Sequence, residues 1–439
     1  MKSEIRLILG VFLLAVFISA LCTPFAAAAA TGWSQTYGGS GDDQAYSIVQ
    51  TSDGGYALAG YTNSSGAGSY DFWLIKTNSS GDMQWSQTYG GTGYDEAFSV
   101  VQGNDTGYAV AGYTNSYGAG AADAWLVKTD SSGNMQWSQT YGGRAQDGAY
   151  SAIQTSDGGY ALAGFTDSFG AGSFDFWLVK TNASGSMMWN QTYGGTGDDE
   201  AACVIQTSDD GYALVGYTNS FGAGGYDFWL VKTDSSGTMM WNQTYGGTGY
   251  DEAGCVIQTS NGYALAGLTT SIGAGSFDFW LVRIDSSGTS QWNQTYGGAN
   301  DEVANALVQT SDGGYALGGW TDSYGAGDAD YWLVKTTSSG STQWNQTYGG
   351  SGDDEAFSLV QTSDGGYALV GFTASYGAGG RDAFLVETDS SGNSAMPRSS
   401  TFSIPYSIIV IVLIIVVMII VAVVVIARGR RSRSDTGTS

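Results

Sequence analysis

The chain of 439 residues contains no histidine. That removes the commonest general base, the Ser-His-Asp arrangement and most transition-metal sites. Charge is scarce as well: charged residues make up 13% of the chain, against about 25% in ordinary globular proteins. What charge there is has one sign. Between Trp33 and Ala395 lie 38 acidic and eight basic side chains, a formal charge near −30. Such a surface repels nucleic acid and anionic lipid and concentrates cations. No segment away from the two ends shows a helical period of 3.6 residues, so helical folds are excluded. Of three cysteines, Cys203 and Cys255 fall in the repetitive part, 14 residues after a tryptophan, where other copies carry Ser47, Ser99, Ser151, Ala306 and Ser358. A disulfide needs Cα atoms within about 7 Å, which equivalent points of neighbouring repeats seldom reach. The expectation is two free, buried thiols.

What the chain does have is one sentence repeated. Trp33, Trp85, Trp137, Trp189, Trp241, Trp292 and Trp344 open seven copies, 52 residues apart except for a step of 51 between Trp241 and Trp292. Each copy holds four short runs of aromatic and β-branched residues separated by Gly, Asp, Ser and Asn, the content of one propeller blade. In the second copy the runs begin at about Ala97, Tyr108, Trp125 and Met135, and Gly90 to Glu96 reads as an acidic loop. The array starts with an orphan fourth strand at Trp33 and lacks a fourth strand after Ala383. Pairing these two ends predicts an all-β, closed seven-bladed β-propeller of four-stranded blades, with the N-terminal strand completing the last blade.

The unit end, such as Leu126-Val-Lys-Thr-Asp-Ser-Ser-Gly-Asn-Met-Gln-Trp137, resembles the tryptophan-docking repeat of pyrroloquinoline-quinone-type propellers. With its Asp-Gly-Gly-Tyr-Ala-Leu core, the unit is similar to β-propeller repeats of archaeal and bacterial surface proteins. The resemblance covers Trp33 to about Asn393. It implies a fold, and only the structural tryptophan motif is shared, so it implies no quinone chemistry.

The ends suggest a destination. Lys2 and Arg6 precede an apolar stretch, Leu7 to Leu21, and Ala26 to Ala30 offers small residues, the pattern of a signal peptide over 1–30. The propeller is expected over 31–393 and a Ser-rich linker over 394–407. Residues 408–427 form an apolar run without charge, long enough to cross a bilayer. The tail, 428–439, opens with Arg428, Arg430, Arg431 and Arg433, which keep it cytoplasmic. The expected protein crosses the cell membrane once, contacts the lipid bilayer through 408–427 and holds the propeller outside.

Strand alternation puts the loops entering each first strand and those between second and third strands on one face. The Asp-Gly-Gly and Asp-Ser-Ser-Gly turns share the other, which the linker directs toward the membrane. The outward loop face carries the ligand-binding candidates Asp43, Asp95, Asp147, Asp199, Asp251, Glu302 and Asp354, most followed by a second acidic residue. Two readings apply: a ring of oxygen ligands for Ca²⁺, or carboxylates that accept hydrogen bonds from their own loops. No other cofactor is expected. Arg144, Arg381 and Trp320 break the repeat, and the two arginines mark a candidate unique site. Tyr37 and its copies form a candidate sugar platform. Asn63, Asn78, Asn104 and Asn182 are glycosylation candidates in loops, whereas the sequons at Asn190, Asn242, Asn293 and Asn345 fall inside a strand, where a glycan has little room. The leading expectation is a non-catalytic surface module that binds a protein, glycan or envelope component. The alternatives are a carboxylate-based glycan hydrolase or lyase, and a purely structural envelope protein.

Overall fold

The computed structural model describes residues 32–397. The proposed signal peptide and the 408–427 span lie outside them. The described chain forms seven antiparallel four-stranded sheets arranged as blades. In blade 1 the strands are β2 (Asp43–Gln50), β3 (Tyr56–Thr62), β4 (Asp71–Thr77) and β5 (Met83–Tyr89), from the centre outward. β1 (Trp33–Tyr37) pairs with the last strand of blade 7, Asp382–Thr388, with Trp33 opposite Glu387 and Tyr37 opposite Ala383. The ring is closed as the orphan strand implied. Across the same seam Ser363 N–H donates to Gln50 Oε1 at 3.0 Å and Asp43 N–H to Arg381 O at 2.7 Å.

Packing runs between blades. The second and third strands are buried along nearly their whole length, which is why they read as continuous apolar runs. Each apolar cluster takes residues from two neighbours: Ala57, Ala59, Phe72 and Leu74 of blade 1 meet Val100, Tyr108, Trp125 and Val127 of blade 2. Small side chains on one wall admit large ones from the other. The opening tryptophan docks on the following blade's outer turn. Gly81 has φ +80°, and a Cβ there would lie 2.2 Å from the Trp33 ring, so the glycine is needed on both counts.

One boundary differs from the sequence reading. The first strand of blade 2 is Asp95–Gln102, so Asp95 and Glu96 belong to the strand and not to the loop. Every first strand also carries a bulge, between Ala45 and Ser47 in β2, that turns Tyr46 toward the central axis. In blade 5 the missing residue shortens a turn: Thr259 pairs with Gly262 across Ser260 and Asn261.

Candidate functional site

The seven leading carboxylates do not line an opening. Asp43, Asp95, Asp147, Asp199, Asp251, Glu302 and Asp354 have no exposed surface. Asp43 accepts hydrogen bonds from Gly39 N–H at 2.8 Å, Ser64 Oγ at 2.6 Å and Thr62 Oγ1, which ties two loops of the face together. A second buried set, Asp71 and its copies, accepts from the loop that leads into it, with Ala67 N–H at 2.9 Å from Asp71 Oδ2. The oxygens expected to face a ligand are turned inward because β2 and its copies start two residues early. Among the described residues no three acidic or thiol side chains converge as a metal site would require.

Tyr37 is buried, and its hydroxyl donates to Gly81 O at 2.6 Å. Tyr89, Tyr141, Tyr193, Tyr245 and Tyr348 repeat the bond. These tyrosines secure the docking turn and offer no platform for a sugar. Trp320 occupies a strand position that is aromatic in five other blades, among them Tyr61, Phe165 and Phe372, so it is one more packing residue. Arg144 is exposed on the loop before blade 3. Arg381 is half-buried, its guanidinium 4.2 Å from the centre of the Phe372 ring. Asn63, Asn104 and Asn182 are exposed and Asn78 half-buried in its turn. Asn190 is also exposed, since its strand is the outermost of the blade, so lack of room does not exclude it.

The bulged position of the first strands builds what the repeats do not share. It holds Tyr46, Phe98, Tyr150, Ala202, Gly254, Asn305 and Phe357 in blades 1 to 7. Aromatic side chains fill one side of the axis: Tyr46 stacks on Phe357 at 4.6 Å, packs against Phe98 at 4.9 Å, and Phe98 meets Tyr150 edge-on. Blades 4, 5 and 6 put small side chains opposite. The result is a one-sided cavity of about 330 Å³ in the central channel, with Cys203 and Cys255 in its wall.

Half-buried glutamates stand above this cavity toward the loop face. Tyr150 Oη donates to Glu200 Oε2 at 3.2 Å. Burial raises Glu200, with hydrogen bonds from Tyr217 and Tyr150 pulling it back, and burial raises Glu252, helped by the Glu200 charge. Glu96 is likewise raised by burial. Burial also raises Glu355, partly offset by Arg381. Acidic neighbours outnumber that single cation: burial raises Asp322, and the charges of Asp301 and Asp353 raise it further. The mouth therefore gathers carboxylates without matching cations, over an aromatic wall.

No family model matches the chain. It is 26% identical over 236 residues to the regulatory protein FlaEY of Caulobacter vibrioides, an alignment that takes 47% of this chain and 24% of that protein. The chain thus spans about a quarter of that relative's length. Among solved structures, the WD40 domain of Neurospora crassa Pan2 is similar at TM-score 0.49 and 10% identity, over 80% of this chain and 90% of that one. An extracellular domain of a one-component system from B. thetaiotaomicron is similar at TM-score 0.43 and 10% identity, over 81% of this chain and 42% of that one.

The channel residues escaped sequence reasoning because attention went to what repeats. Their signal was present: one position, three residues after the buried carboxylate, ranges from Gly254 to Tyr46 while its neighbours vary little. In a ring of near-identical blades, the variable inner position is where a unique cavity can arise.

Proposed function

We propose that this chain is a non-catalytic binding module, a surface relative of the tryptophan-docking propeller repeats, held to the cell membrane by 408–427 with its loop face outward. The channel mouth takes a cationic group on an apolar stem, as lysine or arginine side chains of a basic protein partner present it. One observation carries the reading: half-buried Glu96, Glu200, Glu252 and Glu355 stand over an aromatic-walled cavity with Arg381 as the nearby cation. Carboxylates attract the charge and the aromatic wall accepts both stem and cation. Asn63, Asn78, Asn104 and Asn182 are its glycan-acceptor candidates.

The test is titration of the full chain with a lysine-rich peptide and a neutral peptide of equal length. Salt-sensitive binding of the basic peptide is expected, lost in Glu200→Gln/Glu252→Gln and weakened in Tyr46→Ala, with Arg144→Ala unaffected. Equal binding of the neutral peptide, or full binding by the double variant, would sink the reading.

A further inference from the structure

A belt of side chains links the first strands around the axis. Val100 N–H donates to Ser47 Oγ at 3.1 Å, Ala152 N–H to Ser99 Oγ at 3.0 Å, and Val204 N–H to Ser151 Oγ at 3.2 Å. Ile48 N–H donates to Ser358 Oγ at 3.4 Å on the other side of the seam. In blades 4 and 5 the serine is replaced by Cys203 and Cys255, whose thiols point at Val256 O and Leu307 O of the next blade at 4.0 and 3.8 Å.

The sequence predicts two free, buried thiols at points that neighbouring blades seldom bring within disulfide reach; both are free, but they are half-buried and face one seam. Cys203 Sγ points at the carbonyl of the residue that follows Cys255. The bulged first strands run close to one another across these seams. At the next seam, a Cβ on Gly254 would lie 3.3 Å from Asn305 Cα. The pair also lies where the channel has lost its aromatic lining, against Ala202, Gly254 and Asn305. A small reagent entering the open half of the cavity meets sulfur.

We propose that Cys203 and Cys255 form a redox-active dithiol that closes into a disulfide between blades 4 and 5, using a small-molecule disulfide that enters the channel. The step balances by thiol–disulfide exchange. The Cys203 thiolate attacks one sulfur of the reagent and releases one thiol, leaving a mixed disulfide. The Cys255 thiolate then attacks Cys203 Sγ, forms the bond between blades and expels the second thiol. The protein loses two hydrogens and two electrons, and the reagent is reduced to two thiols. The order follows from the unequal thiols: interaction with Cys255 holds Cys203 below the usual thiol range, and interaction with Cys203, together with burial, pushes Cys255 above it. This inference does not depend on what the loop face binds.

The test treats the folded full chain with oxidised glutathione, then alkylates free thiols and maps peptides without reduction, which separates both residues from Cys22. The expected result is a linked Cys203–Cys255 peptide, loss of alkylation at both positions, and full reversal by dithiothreitol. Cys255→Ser restores the residue that four blades carry, so it should fold, and it should trap a stable glutathione adduct on Cys203. Separate adducts on both cysteines without a link would overturn the proposal. So would two residues that stay fully alkylatable in the folded wild type but oxidise in denaturant.

Discussion

In blade 3 the Lys180 ammonium, buried, sits 2.8 Å from Asp157 and donates to Thr181 O at 2.8 Å. Blades 1, 2, 4 and 6 repeat this clasp with Lys76, Lys128, Lys232 and Lys335. Blade 5 keeps the cation in another form, with Arg283 donating to Tyr263 O and Asn261. In blade 7, the blade that closes the ring, the position is Glu387, 7% exposed, with Asp364 as its acidic neighbour. Six blades fasten their turn-face hairpins with a cation. The seventh puts two acids there, at the residue paired with Trp33 of the N-terminal strand. Closure is therefore supplied by a borrowed strand and not by the local clasp that each other blade carries.

Removing that strand should have the largest effect. Deleting residues 31–39 leaves the edge of Asp382–Thr388 unpaired and exposes the pockets of Trp33 and Tyr37. A loss of about 4 kcal/mol or more is expected, with edge-to-edge association of the truncated protein. Thermal melting and light scattering check both. A truncated chain that melts like the full one and stays monomeric would mean that blade 7 closes without its borrowed strand.

Breaking a regular clasp should cost less. Lys180→Ala strips Thr181 O of its buried donor and Asp157 of its cation, a loss of about 1–3 kcal/mol. The same change does not arise in blade 7, where the cation is already missing. Denaturant titration of Lys180→Ala against wild type measures the term. If the midpoint is unmoved, the buried lysines are ornaments of the repeat and the contrast with Glu387 loses its meaning.

Closure and strand count were legible because an orphan strand at one end and a missing one at the other need only the tryptophan spacing and the order of four apolar runs. The clasps were not legible. Lys76 and Asp53 lie 23 residues apart, and only the meeting of the first turn with the end of the third strand brings them together. The acidic ring was half legible. Asp95 and Glu96 look interchangeable in sequence, yet strand alternation buries the first among loop donors and turns the second toward the channel mouth. Starting the strand at Ala97 hid that alternation, and the first carboxylates then seemed to share the role that their neighbours hold.

The smallest expected effect is also the one that separates the two kinds of blade most cleanly, because their pH responses have opposite signs. Burial, reinforced by the Asp364 charge, pushes Glu387 up to about 7 from its ordinary value of 4.5. The folded state therefore binds this proton more tightly than the unfolded one. Its contribution to stability is complete below about 4.5 and is lost as pH rises through about 7. Asp157 behaves in reverse. Burial opposes its ionisation, but hydrogen bonds from Lys180 and Thr155 outweigh that and bring it down to about 2. Its contribution is present above the ordinary value of 3.8 and disappears as pH falls through about 2. Glu96, Glu200, Glu252 and Glu355 are raised as well and slope the same way as Glu387, so the wild-type profile alone does not isolate the seam. Glu387→Lys does. It gives blade 7 the clasp of its neighbours, with Asp364 and Thr388 O as acceptors, and should add about 1 kcal/mol at pH 7.5. Glu387→Gln should flatten the profile between pH 5 and 8 without that full gain. Melting curves of the three proteins across this range decide the matter: a Glu387→Lys variant that is no more stable than wild type at pH 7.5, with an unchanged slope, would show that the closing blade needs no cation.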